Sequence, residues 1–301
     1  MINQQGWINL YKPKNISSFY ALKKIKTKFK FKKIGHAGTL DPIAEGILPI
    51  AIGKATKLIP FVTNKSKKYI FTIKWGQQTS TDDIEGEVIK TSGILPSEDQ
   101  IKNKIKNLNG NIEQTPPLAS SVKVQGERAY KLFRKNVNFE LKPKKVFLKE
   151  IKLLKYEKKT SKFELECGKG FYVRSFARDL SISLGTLGHI IALKRSKVGI
   201  FSTKTAILLD DLLKIGQTHS EFNCFHSSVS MLDDILAYEI ESKEDLINLS
   251  LGRSIYINLD KLEKPLLNSF DKNYLFLSKQ GNIISYGKLN GDLFKPDKIM
   301  I

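Results

Sequence analysis

The sequence predicts an α+β protein with a large mixed region followed by a small β-rich module. Up to about residue 240, segments with apolar residues at helical spacing alternate with segments rich in β-branched and aromatic residues. Near residue 245 the pattern changes to short strands separated by Gly, Asn and Asp turns. We therefore predict one domain over 1–240 and a second over 245–301.

The first region begins with a predicted strand at 7–11, and a helix follows from Ser17 or Ser18 to about Phe31. Lysines fall mainly on the outer side of this helix. Its bulky apolar residues recur at helical spacing and predict a buried stripe: Phe19, Leu22, Ile25 and Phe29.

Later elements follow from the same criteria. Strands are predicted where β-branched and aromatic residues cluster, with Phe163, Leu165 and Cys167 alternating on one face. In chain order the predictions are a helix at 54–63, a strand at 68–75, a loop at 77–86, a helix at 98–109, a short helix at 129–135, strands between 146 and 173, and a helix at 173–184.

The chain carries a formal charge of +20, from 50 Lys and Arg against 30 Asp and Glu in 301 residues. The excess is spread over the whole length. It favours binding to a phosphate backbone, with an affinity that falls steeply as salt rises. An AT-rich genome also enriches lysine, so charge alone leaves both explanations open.

The chain has two cysteines, Cys167 and Cys224, and no CxxC pair. This predicts a reducing compartment and no metal site. The N-terminus lacks the apolar core of a signal peptide, and no apolar run is long enough to cross a bilayer. We therefore expect a cytoplasmic protein with no membrane partner.

The segment GHAGTLDP, Gly35 to Pro42, holds the best catalytic candidate. Asp41 is a single acid in a glycine-framed, apolar loop that follows a lysine-rich segment. An acid in that setting suggests a catalytic group facing a polyanion. The alternative is structural, because Asp-Pro commonly opens a helix and glycines supply turn geometry.

Four segments in the first 200 residues resemble, in order, the bacterial TruB-type tRNA pseudouridine synthases. They are GHAGTLDPIAEGILPIAIGKATK from Gly35, KKYIFTIKWGQQTSTDDIEGEV from Lys67, PPLASSVKVQGERAYKLFR from Pro116 and CGKGFYVRSFARDL from Cys167. The tail resembles the PUA-like RNA-binding domain that ends many members.

The resemblance implies an isomerase that converts uridine-55 in the T-loop of tRNA to pseudouridine, without cofactor, metal or guide RNA. It implies a mixed, mainly antiparallel catalytic sheet flanked by helices, with the cleft across its middle. Our expectation is a monomer that binds the T-arm of tRNA.

The resemblance also assigns roles to individual residues. Asp41 matches the nucleophile, Arg174 its partner, and Tyr69 the tyrosine that stacks on the flipped base. His36 matches a residue that packs into the T-loop, and Tyr172 a second aromatic of the pocket. Further candidates for substrate contacts are Lys12, Arg128 and Arg134.

Each of these residues also has a structural explanation. Tyr69 could be a core aromatic, Arg174 a phosphate contact, and 126–134 an ordinary surface loop instead of a segment that closes over RNA. The sequence departs from the family pattern at Ser80, Gly168 and the pair Lys194–Arg195. These departures concern RNA affinity and loop geometry rather than the chemistry.

Two other functions remain open at this stage. One is a non-catalytic RNA-binding or tRNA-folding protein, and intact Asp41, Tyr69 and Arg174 argue against it. The other is a guide-dependent synthase that works within a ribonucleoprotein, and the short tail of bacterial type disfavours it.

Overall fold

The computed structural model describes residues 5–215, 224–229, 236–262 and 274–301. Both predicted domains therefore contain positions outside the described residues. Strands of the first region are β1 (Gly6–Lys12), β2 (Ile34–His36), β3 (Glu45–Ile52), β4 (Lys67–Trp75), β5 (Gln77–Thr79), β6 (Val88–Thr91), β7 (Gly110–Gln114), β8 (Lys123–Val124), β9 (Glu127–Arg128), β10 (Lys144–Glu157), β11 (Thr160–Cys167), β12 (Gly188–Val198), β13 (Phe201–Ser202), β14 (Ile207–Leu208) and β15 (Phe225–His226).

Helices of this region flank its main sheet. They are α1 (Ser18–Phe29), a 3-10 turn (Gly53–Leu58), α2 (Ile59–Asn64), α3 (Glu98–Ile105), α4 (Ala129–Arg134), α5 (Val173–Ser183) and α6 (Leu209–Lys214). The helix predicted over 54–63 is thus a 3-10 turn followed by a short α-helix. Part of the loop predicted at 77–86 is strand β5, which pairs with β6.

The main sheet has the order β14-β1-β3-β12-β4-β11-β10-β7, with β2, β13 and β15 attached at its side. Among the described pairings of this sheet, only β1–β14 and β12–β3 are parallel. This confirms the mixed, mainly antiparallel sheet. Along the central strand β4 buried and half-buried residues alternate, and Tyr69, Phe71, Ile73 and Trp75 share the buried face.

Helix α1 differs from the prediction in its buried face. Phe19 is 71% exposed, whereas the small residues Ser18 and Ala21 are buried with Ile25 and Phe29. The buried stripe begins one residue earlier because Ser18 makes close contact with the backbone of Leu40 through its hydroxyl. A bulky side chain there would push the helix off the loop.

The C-terminal module is a five-stranded sheet in the order β16-β18-β19-β20-β17, accompanied in the described residues by one α-helix and a 3-10 turn (Leu259–Lys261). Its elements are β16 (Leu236–Glu239), α7 (Lys243–Ser250), β17 (Ile255–Tyr256), β18 (Tyr274–Lys279), β19 (Asn282–Asn290) and β20 (Leu293–Ile299). The sheet therefore takes in residues before position 245, and α7 shows that the module is not all-β. The domain boundary itself stays a prediction.

This module packs on the first region through a shared apolar cluster. Phe276, Ile283 and Met300 are buried there together with Trp7 and other residues of the first region. Phe61 of α2 contacts Phe276 edge-on, with ring centroids 4.8 Å apart. The two parts of the chain thus share buried apolar surface.

Candidate active site

The loop that carries Asp41 connects β2 to β3 and is tied to the start of α1. Ser18 Oγ accepts a hydrogen bond from Leu40 N at 2.8 Å and donates to Leu40 O at 3.0 Å. Asn15 N donates to Pro42 O at 2.8 Å. The residues on both sides of Asp41 are therefore fixed to the β1–α1 connection, which limits the positions open to its carboxylate.

Lys12 strengthens the same connection, and its predicted contact with substrate stays a prediction. Its side chain is fully buried, and its ammonium donates to Pro13 O at 2.8 Å, Ile16 O at 2.7 Å and Pro42 O at 3.4 Å. Burial lowers the pKa of Lys12 to about 8. Its ammonium is thus hydrogen-bonded to backbone carbonyls next to the loop that carries Asp41.

Asp41 and Arg174 form a two-point ion pair. Arg174 Nε lies 3.0 Å from Asp41 Oδ2, and Arg174 Nη2 donates to Asp41 Oδ1 at 3.1 Å. The arginine side chain is 5% exposed and that of the aspartate 35%. Such paired contacts fix the plane of a carboxylate as well as its charge. One face of Asp41 remains open to solvent.

The remaining Arg174 donors are also satisfied. Nη1 donates to Thr81 O at 3.0 Å and lies 3.3 Å from Asp83 Oδ2, and Nη2 donates to Ala119 O at 3.0 Å. Asp83 is itself buried and accepts from the Thr81 hydroxyl at 2.5 Å. Arg174 thus joins the catalytic loop to the turn after β5 and to the segment after β7.

The N-terminal end of α5 is held by β7 and the residue after it. The Gln114 side chain forms hydrogen bonds with both backbone polar groups of Tyr172. Its Oε1 accepts from Tyr172 N at 3.0 Å, and its Nε2 donates to Tyr172 O at 3.3 Å. Ser175 Oγ donates to Thr115 O at 2.7 Å. Because Tyr172 is the N-cap of α5, these contacts set the direction in which Arg174 leaves the helix.

Two hollows meet at Asp41. An inner cavity of about 320 Å³ contains Tyr69, Tyr172 and Leu193, and an outer cleft of about 950 Å³ contains Phe19, His36 and Arg134. Asp41 and Arg174 line both. The inner cavity lies at the lower end of the volume range of small-molecule sites, so it fits one base rather than a helical segment.

Tyr69 lies in this inner cavity, on β4, with 9% of its surface exposed. Burial raises the pKa of its hydroxyl above the usual range, so the ring is uncharged at neutral pH. Its register partner on β12 is Arg195. Both the stacking role and the core role proposed from the sequence agree with this placement.

Arg195 is the principal site residue that sequence reasoning missed. It is fully buried, lines the inner cavity, and donates to Ile47 O at 2.8 Å and Gly38 O at 2.8 Å. Its role is to hold the glycine loop before Asp41. The sequence contained a signal for the burial of Arg195. It lies two residues after Leu193, so in a strand the two side chains share one face, and both are buried in β12.

His36 lies on β2 in the outer cleft. Its Nδ1 and the Ser120 hydroxyl, which lines both hollows, are buried polar atoms without hydrogen-bond partners among the described residues. Burial, and secondly Arg195, lower the pKa of His36, so it is neutral at pH 7.

Arg128 and Arg134 lie at the ends of α4, and both are exposed on the outer cleft. Arg128 Nη1 donates to Ser121 O, while the Arg134 guanidinium lies 5.8 Å from the centre of the Tyr130 ring. The structure thus brings seven of the eight candidates to the two hollows, and Lys12 lies behind them.

Metal-binding clusters and membrane-spanning helices are both absent from the residues that the structure describes. No group of three or more His, Cys, Asp or Glu side chains there is arranged to hold a metal ion. No helix in those same ranges is long and apolar enough to span a membrane.

Comparison with known proteins identifies the family. A sequence model described as TruB family pseudouridylate synthase, N-terminal domain, matches residues 26–173. A protein named tRNA pseudouridine synthase B from Ehrlichia ruminantium is 49% identical over 219 residues, covering 71% of this chain and 74% of the relative. The chain belongs to the TruB family of pseudouridylate synthases. A second relative of that name, from Sinorhizobium medicae, is 36% identical over 98% of this chain and 95% of its own.

A solved structure shares the fold of nearly the whole chain. One chain from a structure of an H/ACA ribonucleoprotein bound to a substrate RNA containing 2'-deoxyuridine superposes with a TM-score of 0.74 at 19% identity. The match covers 98% of this chain and 85% of the other. It confirms the predicted α+β fold class, including the C-terminal β-rich module.

Proposed function

We propose that this enzyme isomerises uridine-55 in the T-loop of tRNA to pseudouridine, with Asp41 as nucleophile and without guide RNA or cofactor. The observation that carries the proposal is the ion pair between Asp41 and Arg174 at the junction of the two hollows. A carboxylate held by two guanidinium contacts, with one face open, is oriented for attack on a base or sugar that enters from the cleft.

The reaction needs no net addition of atoms. The bond between uracil N1 and ribose C1′ breaks, a bond between C5 and C1′ forms, C5 loses its proton and N1 gains one. Asp41 can carry the sugar or the base between these events by attacking C1′ or the uracil ring, and both routes give the same product. Covalent catalysis of this kind divides one difficult step into two easier ones.

The two hollows suit a substrate whose target base must leave the base stack of the RNA. A base inside RNA is out of reach, so the uridine has to turn outward into the inner cavity, where Tyr69 and Tyr172 offer ring surfaces. The cleft would hold the remaining loop, with His36 in contact with unstacked bases and Arg128 and Arg134 on phosphates. Positive charge on the chain supports an RNA partner.

The relatives named tRNA pseudouridine synthase B favour tRNA over a guide-bound substrate. The structural neighbour from a ribonucleoprotein is far more distant in sequence, at 19% identity. A purely RNA-binding role is disfavoured because the buried arrangement around Arg174 is complete.

The test uses the purified full chain and a tRNA transcript, without guide RNA or added cofactor. We expect stoichiometric pseudouridine at position 55 and none in a matched transcript with cytidine there. Pseudouridine mapping of total tRNA from a strain that lacks the gene should show the same position unmodified. Modification at another position, or a requirement for guide RNA, would contradict the proposal.

A further inference from the structure

Two exposed aromatic rings lie on α1, and neither has a role in the chemistry above. Phe19 is 71% exposed and Tyr20 46%. Both lie in the first turn of α1, directly after Ser18, whose hydroxyl is bonded to the backbone of Leu40. Phe19 is therefore a rigid neighbour of the catalytic loop, and it lines the same cleft as Asp41.

Cations surround these rings. Lys23 and Lys26 follow Phe19 by four and seven residues, so the three side chains share one face of α1. Lys24 Nζ lies 5.0 Å from the centre of the Tyr20 ring. The chain contains no Asp or Glu before Asp41. Neither Lys23 nor Lys26 forms an ion pair with any described residue.

We propose that Phe19, Tyr20, Lys23 and Lys26, here called the α1 rim, form a second base-stacking site for the RNA whose uridine enters the active site. Phe19 stacks on an unpaired base outside the inner cavity, and the lysines contact the phosphates that follow it. The inference rests on the proposed function for the identity of the RNA.

The chemistry of the rim favours RNA over a protein partner. Exposed aromatic rings next to cations are the combination that proteins use for single-stranded nucleic acid, because every base has a face for stacking and every nucleotide a charge. An apolar protein surface would have to cover several lysines without acids on this helix to neutralise them. The rim is also continuous with the cleft, so an RNA loop bound at Asp41 passes within reach of it.

Binding by the full chain tests the rim directly. Phe19→Ala should weaken tRNA affinity about 5- to 100-fold, the range found for loss of one base–aromatic stack. Turnover at saturating tRNA should stay near that of the unsubstituted chain, since the hydrogen bonds and ion pairs of Asp41 and Arg174 do not involve Phe19. Because Phe19 is largely exposed, its removal should leave the thermal midpoint unchanged.

Two companion variants separate stacking from general apolar contact. Phe19→Trp should bind as tightly as the unsubstituted chain, whereas Phe19→Leu should resemble Phe19→Ala. Lys23→Gln should lower the slope of log affinity against log salt by about one. Lys158→Gln, at an exposed turn between β10 and β11, is the matched control and should change neither quantity.

Filter binding measures affinity without turnover, so the two proposals fail in different ways. An unsubstituted chain that binds tRNA but makes no pseudouridine would contradict the proposed function. Unchanged affinity in Phe19→Ala, or equal affinity in Phe19→Leu and Phe19→Trp, would overturn the α1 rim.

Discussion

Arg174 carries more of the site than any other single side chain. It orients Asp41 and at the same time bonds the backbone at Thr81 and Ala119. The segment CGKGFYVRSFARDL led to the prediction that Arg174 is the partner of Asp41. The structure shows the two side chains in contact. The sequence did not show that Asp83 pairs with Arg174 while the adjacent Asp82, also buried, pairs with Arg178.

Arg174→Lys should reduce the rate of pseudouridine formation at saturating tRNA by about two orders of magnitude or more. Lysine keeps the charge but loses the two-point contact that aims the carboxylate. Single-turnover rates measure this effect, with Arg178→Lys as control because Arg178 pairs with Asp82 instead. Normal turnover together with weakened tRNA binding would identify Arg174 as a phosphate contact.

The lowered pKa of Lys12 predicts how the free energy of unfolding changes with pH. Its pKa is about 8 in the folded chain and 10.5 in its ordinary state, so the unfolded chain binds more protons between these values. The free energy of unfolding should therefore rise with pH from 8 to 9.5, by up to about 1.4 kcal/mol per pH unit from this one group. Below pH 8 Lys12 is protonated in both the folded and the unfolded chain. The full cost of burying its charge then lowers the free energy of unfolding.

Lys12→Met should lose this part of the slope, and Lys158→Met should keep it. Urea unfolding at several pH values measures the slope. Equal slopes in all three chains would show that Lys12 keeps an ordinary proton affinity when folded.

At the scale of elements, strands were easier to predict than helix faces. The alternation in β11 placed Phe163, Leu165 and Cys167 correctly on one buried face, since this strand is central in the sheet. Phe19 was assigned to the core because bulky apolar residues usually are buried. Its exposure follows from the close approach of Ser18 to Leu40, a tertiary contact that local spacing does not encode.

Gly46, at the start of β3, joins two elements of the site. Its φ is +110°, and a Cβ there would lie 2.2 Å from Arg195 O. Gly46→Ala should therefore move β3 away from β12 and destabilise the fold by about 3 kcal/mol or more. Gly110→Ala is the control, because φ is +88° there but no atom lies within 4 Å of the added carbon. Equal losses of unfolding free energy would mean that backbone conformation, not the clash, dominates.

For the whole molecule, the two regions are coupled by buried apolar surface. The sequence predicted a separate tail, because turn-rich short strands mark a new module, but it gave no sign that Phe276 and Met300 would pack near Trp7. Contacts between residues more than two hundred positions apart depend on how the two sheets meet, and no local pattern specifies that.

Removing 236–301 should therefore lower the thermal midpoint as well as the affinity for tRNA. The cut exposes the apolar surface around Phe61 and Trp7, while every residue that contacts Asp41 remains. We expect measurable pseudouridine formation at high tRNA concentration in the cold. A folded truncated chain without activity at saturating tRNA would place part of the active site in the C-terminal module.

The central claim is that Asp41 is the nucleophile, and Asp41→Asn tests it most directly. Asparagine keeps the size of the side chain and one acceptor for Arg174, but it cannot act as the attacking carboxylate. Single-turnover assays with tRNA should show no pseudouridine, while filter binding gives an affinity near that of the unsubstituted chain. Pseudouridine formation at the unsubstituted rate would remove Asp41 from the mechanism and contradict the account.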